Sequence, residues 1–166
     1  MASQQLRLAC DAIDEALQYE SSWQRAEEHR ARFGDAIDYY GASVGAIRAT
    51  LRDTLRRYPS LAHDDVTALS SLLWSAPVYE RRLAAVILLQ GAVSLLVVSD
   101  LTRLEGFLRS SILPDIADAL AHDVIGPLLQ SLDARERLRA DTVVARWAQG
   151  DEPLLSRAAA LVNARS

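Results

Sequence analysis

Apolar residues recur every three or four positions through most of the chain, and no stretch shows the strict alternation of a half-buried strand. The pattern predicts an all-α fold. Leu6, Cys10, Ile13 and Leu17 line one face of a first helix, with Gln4, Arg7, Asp11 and Asp14 largely on the others. A second short helix is expected from Trp23 to Phe33. Gly41 followed by Ser43 signals a turn and an N-cap for a third helix running to about Tyr58, where Pro59 stops it. A fourth runs from about Asp64 to Trp74, and Pro77 opens a fifth that carries YERRLAAVILL. Leu83 to Val98, the most apolar stretch, reads as a buried helix. Asp100 is expected to cap a sixth helix ending near Ser111. Pro114 opens the next, which Gly126-Pro127 should kink or end because proline removes a backbone donor. Asp133 caps another through Trp147, and Pro153 opens the last, for about nine helices joined by short turns.

Two segments look alike. LLWSAPVYERRLAAVILL and VARWAQGDEPLLSRAAALV each have a Trp ending a helix, a short turn, a Pro, an Arg four residues later, and then small and apolar residues. Pro77 and Arg81 match Pro153 and Arg157. The copies lie roughly 70 residues apart, close to two helical hairpins of HEAT or armadillo length. The expected architecture is therefore a HEAT-like α-α superhelix of stacked antiparallel helix pairs, one domain over 1–166, with a concave face suited to a long ligand. In such a stack Trp74 and Trp147 plug between repeats, Arg81 has the option of bonding helix carbonyls, and Trp23 is expected to pack as well.

Composition narrows the chemistry. The 166 residues hold 18 basic side chains, all arginine, against 22 acidic ones, for a formal charge of −4. A uniformly basic nucleic-acid coat is excluded, though a local basic face is not. The N-terminus lacks the pattern of a signal or transit peptide, and Leu83 to Val98 is too short and too interrupted by Gln90 and Gly91 to span a bilayer. The expectation is a cytoplasmic protein, nucleoid-associated if it binds DNA. The lone Cys10 reads as core filler. His29, His63 and His122 are far apart, and no HExxH or CxxC spacing occurs, so no metal and no cofactor are expected. Gly-rich phosphate loops and the G-x-S-x-G elbow are absent too.

Spacing alone identifies one phosphate-binding candidate. Arg48, Arg52 and Arg56 stand at i, i+4 and i+8 with Arg57 adjacent, a basic stripe opposed only by Asp53; a solvated face with local ion pairs is the other reading. Arg135, Arg137 and Arg139 alternate instead, so they spread around their helix and are partly neutralised by Glu136 and Asp141.

Four segments resemble the DNA alkylation repair proteins built from HEAT-like repeats, which excise alkylated purines. YYGASVGAIRATLRD resembles that family's early segment, LLWSAPVYERRLAAVILL its central stretch, DIADALAHDVIGPLL its aspartate-bearing helix and RWAQGDEPLLSRAAALV its arginine-bearing repeat, all in the expected order. The resemblance implies duplex DNA with alkylated bases as partner, Asp118 as the carboxylate that stabilises positive charge on the deoxyribose, and Arg157 as a phosphate clamp. It also suggests that Tyr40, beside Tyr39 and Gly41, stacks near the nucleic acid, with core packing as the competing reading. Pro114 and Leu154 stand where the family usually carries tryptophans ahead of its aspartate and its arginine. Family members also generally continue through further repeats. The alternative is a HEAT-like scaffold that binds DNA or protein without catalysis, and an apolar patch left by a missing repeat would then favour dimers.

Overall fold

The computed structural model describes residues 3–58 and 61–164. Among them every regular element is helical, as the periodicity predicts. The helices are α1 (Ser3–Tyr19), α2 (Trp23–Phe33), α3 (Val44–Leu55), α4 (His63–Trp74), α5 (Tyr79–Gly91), α6 (Leu101–Ser110), α7 (Pro114–Leu120), α8 (Gly126–Ser131), α9 (Ala134–Gln149) and α10 (Pro153–Asn163). They form two compact units, Met1–Leu89 and Gln90–Ser166.

In the first unit α1 packs on α3 and α4. Leu6, Cys10, Ile13 and Leu17 are all buried, so the apolar stripe of α1 is the face that meets its neighbours. Cys10 is a buried free thiol pushed up from its ordinary pKa by burial, in keeping with its reading as filler. Ser22 and Ser43 cap α2 and α3, their hydroxyls accepting the backbone N–H of Arg25 and Ala46. Helix α3 stops at Leu55, before the expected Tyr58, and a turn follows; Pro59, the expected stop, lies outside the described residues.

Gly41 is where backbone freedom decides the local structure. Its φ is +79°, and a Cβ there would lie 2.1 Å from the Ser22 carbonyl oxygen. Only glycine lets the segment from Asp38 to Ser43 pass so close to the start of α2. The same segment makes an isolated parallel bridge between Asp38 and Val78, with Asp38 N–H donating to the Pro77 carbonyl and Tyr79 N–H to the Asp38 carbonyl.

The apolar stretch from Leu83 to Val98 is not one helix: α5 ends at Gly91, and two 3-10 turns follow, Val93–Leu95 and Val98–Asp100. Asp100 does not cap α6 with its side chain; its carboxylate turns back and accepts the Val97 N–H at 2.9 Å, closing the second 3-10 turn. From Pro114 the chain stays helical through Gly126-Pro127. Proline has no N–H to offer and crowds the carbonyl four residues back. The helix answers with a π-helical turn over Ala121–Ile125, in which Gly126 N–H reaches the Ala121 carbonyl. Asp133 caps α9 as expected, accepting from Glu136 N–H at 2.8 Å. Helix α10 packs on α6, α7, α9 and the π-turn; Leu155, Ala158, Ala159 and Val162 on it are buried, as are Ile116, Ala117, Leu120 and Ala121 on α7 and the π-turn. The alanines on both sides permit close approach of the two backbones.

Candidate functional site

Asp118 and Arg157 meet across the packed faces of α7 and α10. Arg157 Nε donates to Asp118 Oδ1 at 2.5 Å and Nη2 donates to Oδ2 at 2.6 Å, a fork in which both carboxylate oxygens are engaged. The pair is at the surface, with the arginine side chain 53% and the aspartate 26% exposed. Bonding to Asp118, together with its charge and that of Asp115, raises the Arg157 guanidinium above its ordinary pKa. The bidentate edge uses Nε and Nη2 and leaves the outer edge, Nη1 with the second hydrogen of Nη2, facing away from the carboxylate.

Pro114 lies one helical turn before Asp118, and Leu154 one turn before Arg157. The fork is thus flanked along its own two helices by a pyrrolidine ring and an isobutyl group. His122, four residues after Asp118, falls inside the π-turn.

The two similar segments use their arginines differently. Arg81 binds the end of α4, donating from Nη2 to the Leu72 carbonyl at 3.0 Å and from Nε to the Leu73 carbonyl at 3.4 Å, and it pairs with Asp14 at 3.4 Å. That is the architectural role anticipated for it. In the second copy Ser156 Oγ reaches the Trp147 and Gly150 carbonyls, at 3.2 Å each, so Arg157 is not needed for that task. The tryptophans agree with their expected packing role. Trp74 is buried with the Arg82 guanidinium 5.2 Å from its ring centroid, and Trp147 is buried with its indole N–H on Glu105 at 2.8 Å. Glu105 also receives Arg109 and Arg146. Burial would raise its carboxyl, but donation from Trp147, Arg109 and Arg146 outweighs this and lowers the pKa. Trp23, by contrast, does not pack: it is 80% exposed at the first position of α2. Its position at the start of a polar helix, where no neighbouring element covers it, overrides its apolar character.

Arg48, Arg52 and Arg56 lie exposed along α3 and the turn after it. Arg52 and Arg56 sit 3.5 and 3.6 Å from Asp53, so the stripe is loosely countered by the one acid the spacing had placed against it. Tyr39 is buried and donates its hydroxyl to the Gly34 carbonyl at 2.9 Å, the core-packing outcome. Tyr40 is partly exposed. Its hydroxyl donates to Asp14 at 2.9 Å, and burial followed by this bond pushes its pKa up to about 12. The fork belongs to the second unit, and the arginine stripe and Tyr40 to the first.

The residue that sequence reasoning missed is Glu80. It is fully buried, and its carboxylate accepts the backbone N–H groups of Tyr40 at 2.9 Å and Gly41 at 2.8 Å. His29 Nδ1 stands 3.7 Å away, within a cluster of the Phe33, Tyr39 and Tyr79 rings. Arg25 completes the clamp by donating to the Gly41 carbonyl at 2.5 Å. An acidic residue in the first turn of an apolar helix was the available signal. Its partners, some forty positions earlier, were not visible.

Among the described residues no three His, Cys, Asp or Glu side chains are gathered to hold a metal ion, and no helix is long and apolar enough to cross a membrane. The model of the family described as DNA alkylation repair enzyme matches residues 13–166. None of the curated proteins compared with the chain matches it.

Proposed function

Because the chain belongs to the DNA alkylation repair enzyme family, we propose that it binds duplex DNA and hydrolyses the N-glycosidic bond of cationic alkylated purines. The observation that carries this reading is the fork itself. The two residues singled out by resemblance, one as the carboxylate and one as the phosphate clamp, are 39 positions apart and bonded to each other at the surface. A purine alkylated on a ring nitrogen already carries positive charge and departs as a neutral base, so protonation of the leaving group is not required. When the C1′–N bond breaks, its electron pair goes to the base and positive charge develops on the deoxyribose. Water then adds to C1′ and loses a proton. A fixed carboxylate at Asp118 stabilises that charge and orients the water, while Arg157 neutralises a backbone phosphate. Arg48, Arg52 and Arg56 supply further phosphate contacts, and the ring of Tyr40 offers a stacking surface.

The test is release of alkylated bases from methylated duplex DNA by wild type and by Asp118→Asn, with binding measured in parallel. Removing an electrostatic group of this kind is expected to slow release by about a hundredfold while binding persists. Replacing Arg48, Arg52 and Arg56 by alanine should lower the slope of log affinity against log salt by about one for each phosphate no longer neutralised. Binding without release by either protein would refute the catalytic reading and leave a DNA-binding scaffold, an outcome to which Pro114 and Leu154, in place of aromatic walls, lend weight.

A further inference from the structure

Two exposed helix faces, one in each unit, carry the same spacing with opposite charge. On α1, Leu8, Asp11, Ala12, Glu15 and Tyr19 fall at i, i+3, i+4, i+7 and i+11, on the side away from the buried Leu6, Cys10, Ile13 and Leu17. Leu8 is 57% exposed and Tyr19 more so. On α9, Arg135, Leu138, Arg139, Thr142 and Arg146 repeat that spacing opposite the buried Ala140, Val144 and Trp147, and Leu138 is 70% exposed. Asp11, Glu15, Arg135 and Arg139 make no side-chain hydrogen bond or ion pair among the described residues. Arg137, which stands between the two α9 arginines in sequence, is drawn off the face by Asp141 at 2.7 Å and the Leu129 carbonyl at 3.3 Å. We propose that the acidic face of α1 binds the basic face of α9 on a second copy of this chain. Such a contact needs neither DNA nor the fork of Asp118 and Arg157.

Charge selects the occupant. Two α1 faces, or two α9 faces, would set like charges against each other, whereas α1 on α9 gives each carboxylate a guanidinium. Spacing selects the register. Asp11 and Glu15 are four residues apart, as are Arg135 and Arg139, so each pair spans about 6 Å of helix axis. With the helices antiparallel, Arg139 meets Asp11, Arg135 meets Glu15, and Leu138 comes over Ala12. Ala12 and Ala16 border a groove of about 570 Å³ whose other side includes Gly45, Ala46 and Ala49 of α3, so small side chains leave room for an isobutyl group that its own helix does not cover. Parallel docking would instead bring Leu138 level with Asp14, which lies off this face and already accepts the Tyr40 hydroxyl. The α3 stripe is the other basic face, but Arg52 and Arg56 stand beside Asp53 and Arg48 is engaged as well, whereas the α9 face contains no acid. The contact therefore leaves the α3 arginines to phosphate. One helix on another buries less than the roughly 1,200 Å² of a stable complex, and its ion pairs lie in water, so the association is weak and salt-sensitive, with a Kd of about 100 µM. Because the two faces differ, the contact is heterologous, and copies join in a ring or a row.

The experiment is sedimentation of the whole chain without DNA, at low salt and at concentrations from about 10 to 500 µM. The weight-average mass of wild type should rise above the 18.2 kDa of one chain as concentration increases. Raising NaCl to about 0.5 M should weaken the association about tenfold. Asp11→Arg with Glu15→Arg, and separately Arg135→Glu with Arg139→Glu, should each associate about tenfold more weakly or worse. An equimolar mixture of the two variants should return to within about threefold of wild type, because reversed α1 then faces reversed α9 and native faces native. Leu138→Ala should weaken association about threefold without changing its salt dependence. Replacing Arg48, Arg52 and Arg56 by alanine should leave it unchanged. Wild type that stays monomeric over the whole range would overturn the proposal, as would loss of association on the α3 replacement. A mixture that fails to associate while circular dichroism shows both variants folded would overturn it too. If a reversal variant does not fold, Asp11→Asn with Glu15→Gln and Arg135→Gln with Arg139→Gln remove charge without reversing it and should each weaken association about threefold or more; wild-type strength in both would overturn the proposal.

Discussion

Replacing Glu80 by glutamine tests what fixes the segment that leads into α3. The substitution keeps shape and volume while removing the charge. In the native protein the buried carboxylate accepts Tyr40 N–H at 2.9 Å and Gly41 N–H at 2.8 Å. An amide has one oxygen, so one of these bonds becomes neutral, and the other N–H faces an NH2 group. Weakening the retained bond costs about 1 kcal/mol, and a buried N–H left without an acceptor costs about 1–3 kcal/mol. The new NH2 must be buried too, and His29 Nδ1 stands 3.7 Å from the present carboxylate oxygen, beyond hydrogen-bond distance, so recovery is partial at best. The expected total is about 3 kcal/mol. With a denaturant slope of about 2 kcal/mol/M in urea, the unfolding midpoint of the first unit should fall by about 1.5 M. Amide hydrogen exchange read residue by residue separates this unit from residues 90–164 and should show the loss of protection centred on Tyr40, Gly41 and the first turn of α3. A Glu80→Gln protein within about 1 kcal/mol of wild type, with Tyr40 and Gly41 still protected, would refute the argument that the buried charge anchors the segment.

Two further outcomes follow from backbone and titration. Tyr40 keeps its proton in the folded state up to about pH 12, whereas an unfolded tyrosine loses it near 10. The folded protein therefore binds more protons across that window, and its stability should fall as pH rises from 10 toward 12; Tyr40→Phe should flatten this alkaline limb in thermal melts, and an unchanged limb would show that titration of Tyr40 does not govern it. Ile112 adopts φ +66° between α6 and α7 and is the one non-glycine residue with positive φ among those described. Ile112→Asn, which tolerates that conformation, should gain about 1 kcal/mol and raise the melting temperature by about 2–4 °C, whereas a lowered melting temperature would show that the isoleucine side chain contributes more by packing than its backbone costs.

What the sequence revealed and what it hid divide along contact range. Helix starts were legible because they depend on neighbours a turn away: Ser43 caps α3, Asp133 caps α9, and Pro114 and Pro153 sit in the first turns of α7 and α10. The rest depended on distant partners or on competition between local signals. The end of α5 at Gly91 was hidden because the apolar run resumes after Gln90 and Gly91, and apolarity fits 3-10 turns as well as a helix. Asp100 read as a forward cap, but its carboxylate bonds backward to Val97. At the candidate site, spacing marked the α3 stripe and resemblance marked Asp118 and Arg157. That the last two bond each other required the packing of α10 on α7, which no local pattern encodes. Glu80 was hidden for the same reason, and Trp23 because an aromatic residue invites a core assignment that only tertiary surroundings can deny it.

The π-turn at Ala121–Ile125 bears on how this chain tolerates changes of length. Such a turn contains one residue more than an α-helix would use, and Gly126 N–H, five residues on, takes the place on the Ala121 carbonyl that the fourth residue would fill. The extra residue is therefore absorbed locally, between the part of the helix that carries Asp118 and the part that buries Leu128 and Leu129. Removal of one of those five residues would close the ring to ordinary α-geometry and leave both parts facing as they do now. A deletion one residue before or after the five, left uncompensated, would instead turn one part against the other by about 100°. The helix thus carries its own slack of one residue, placed next to the aspartate.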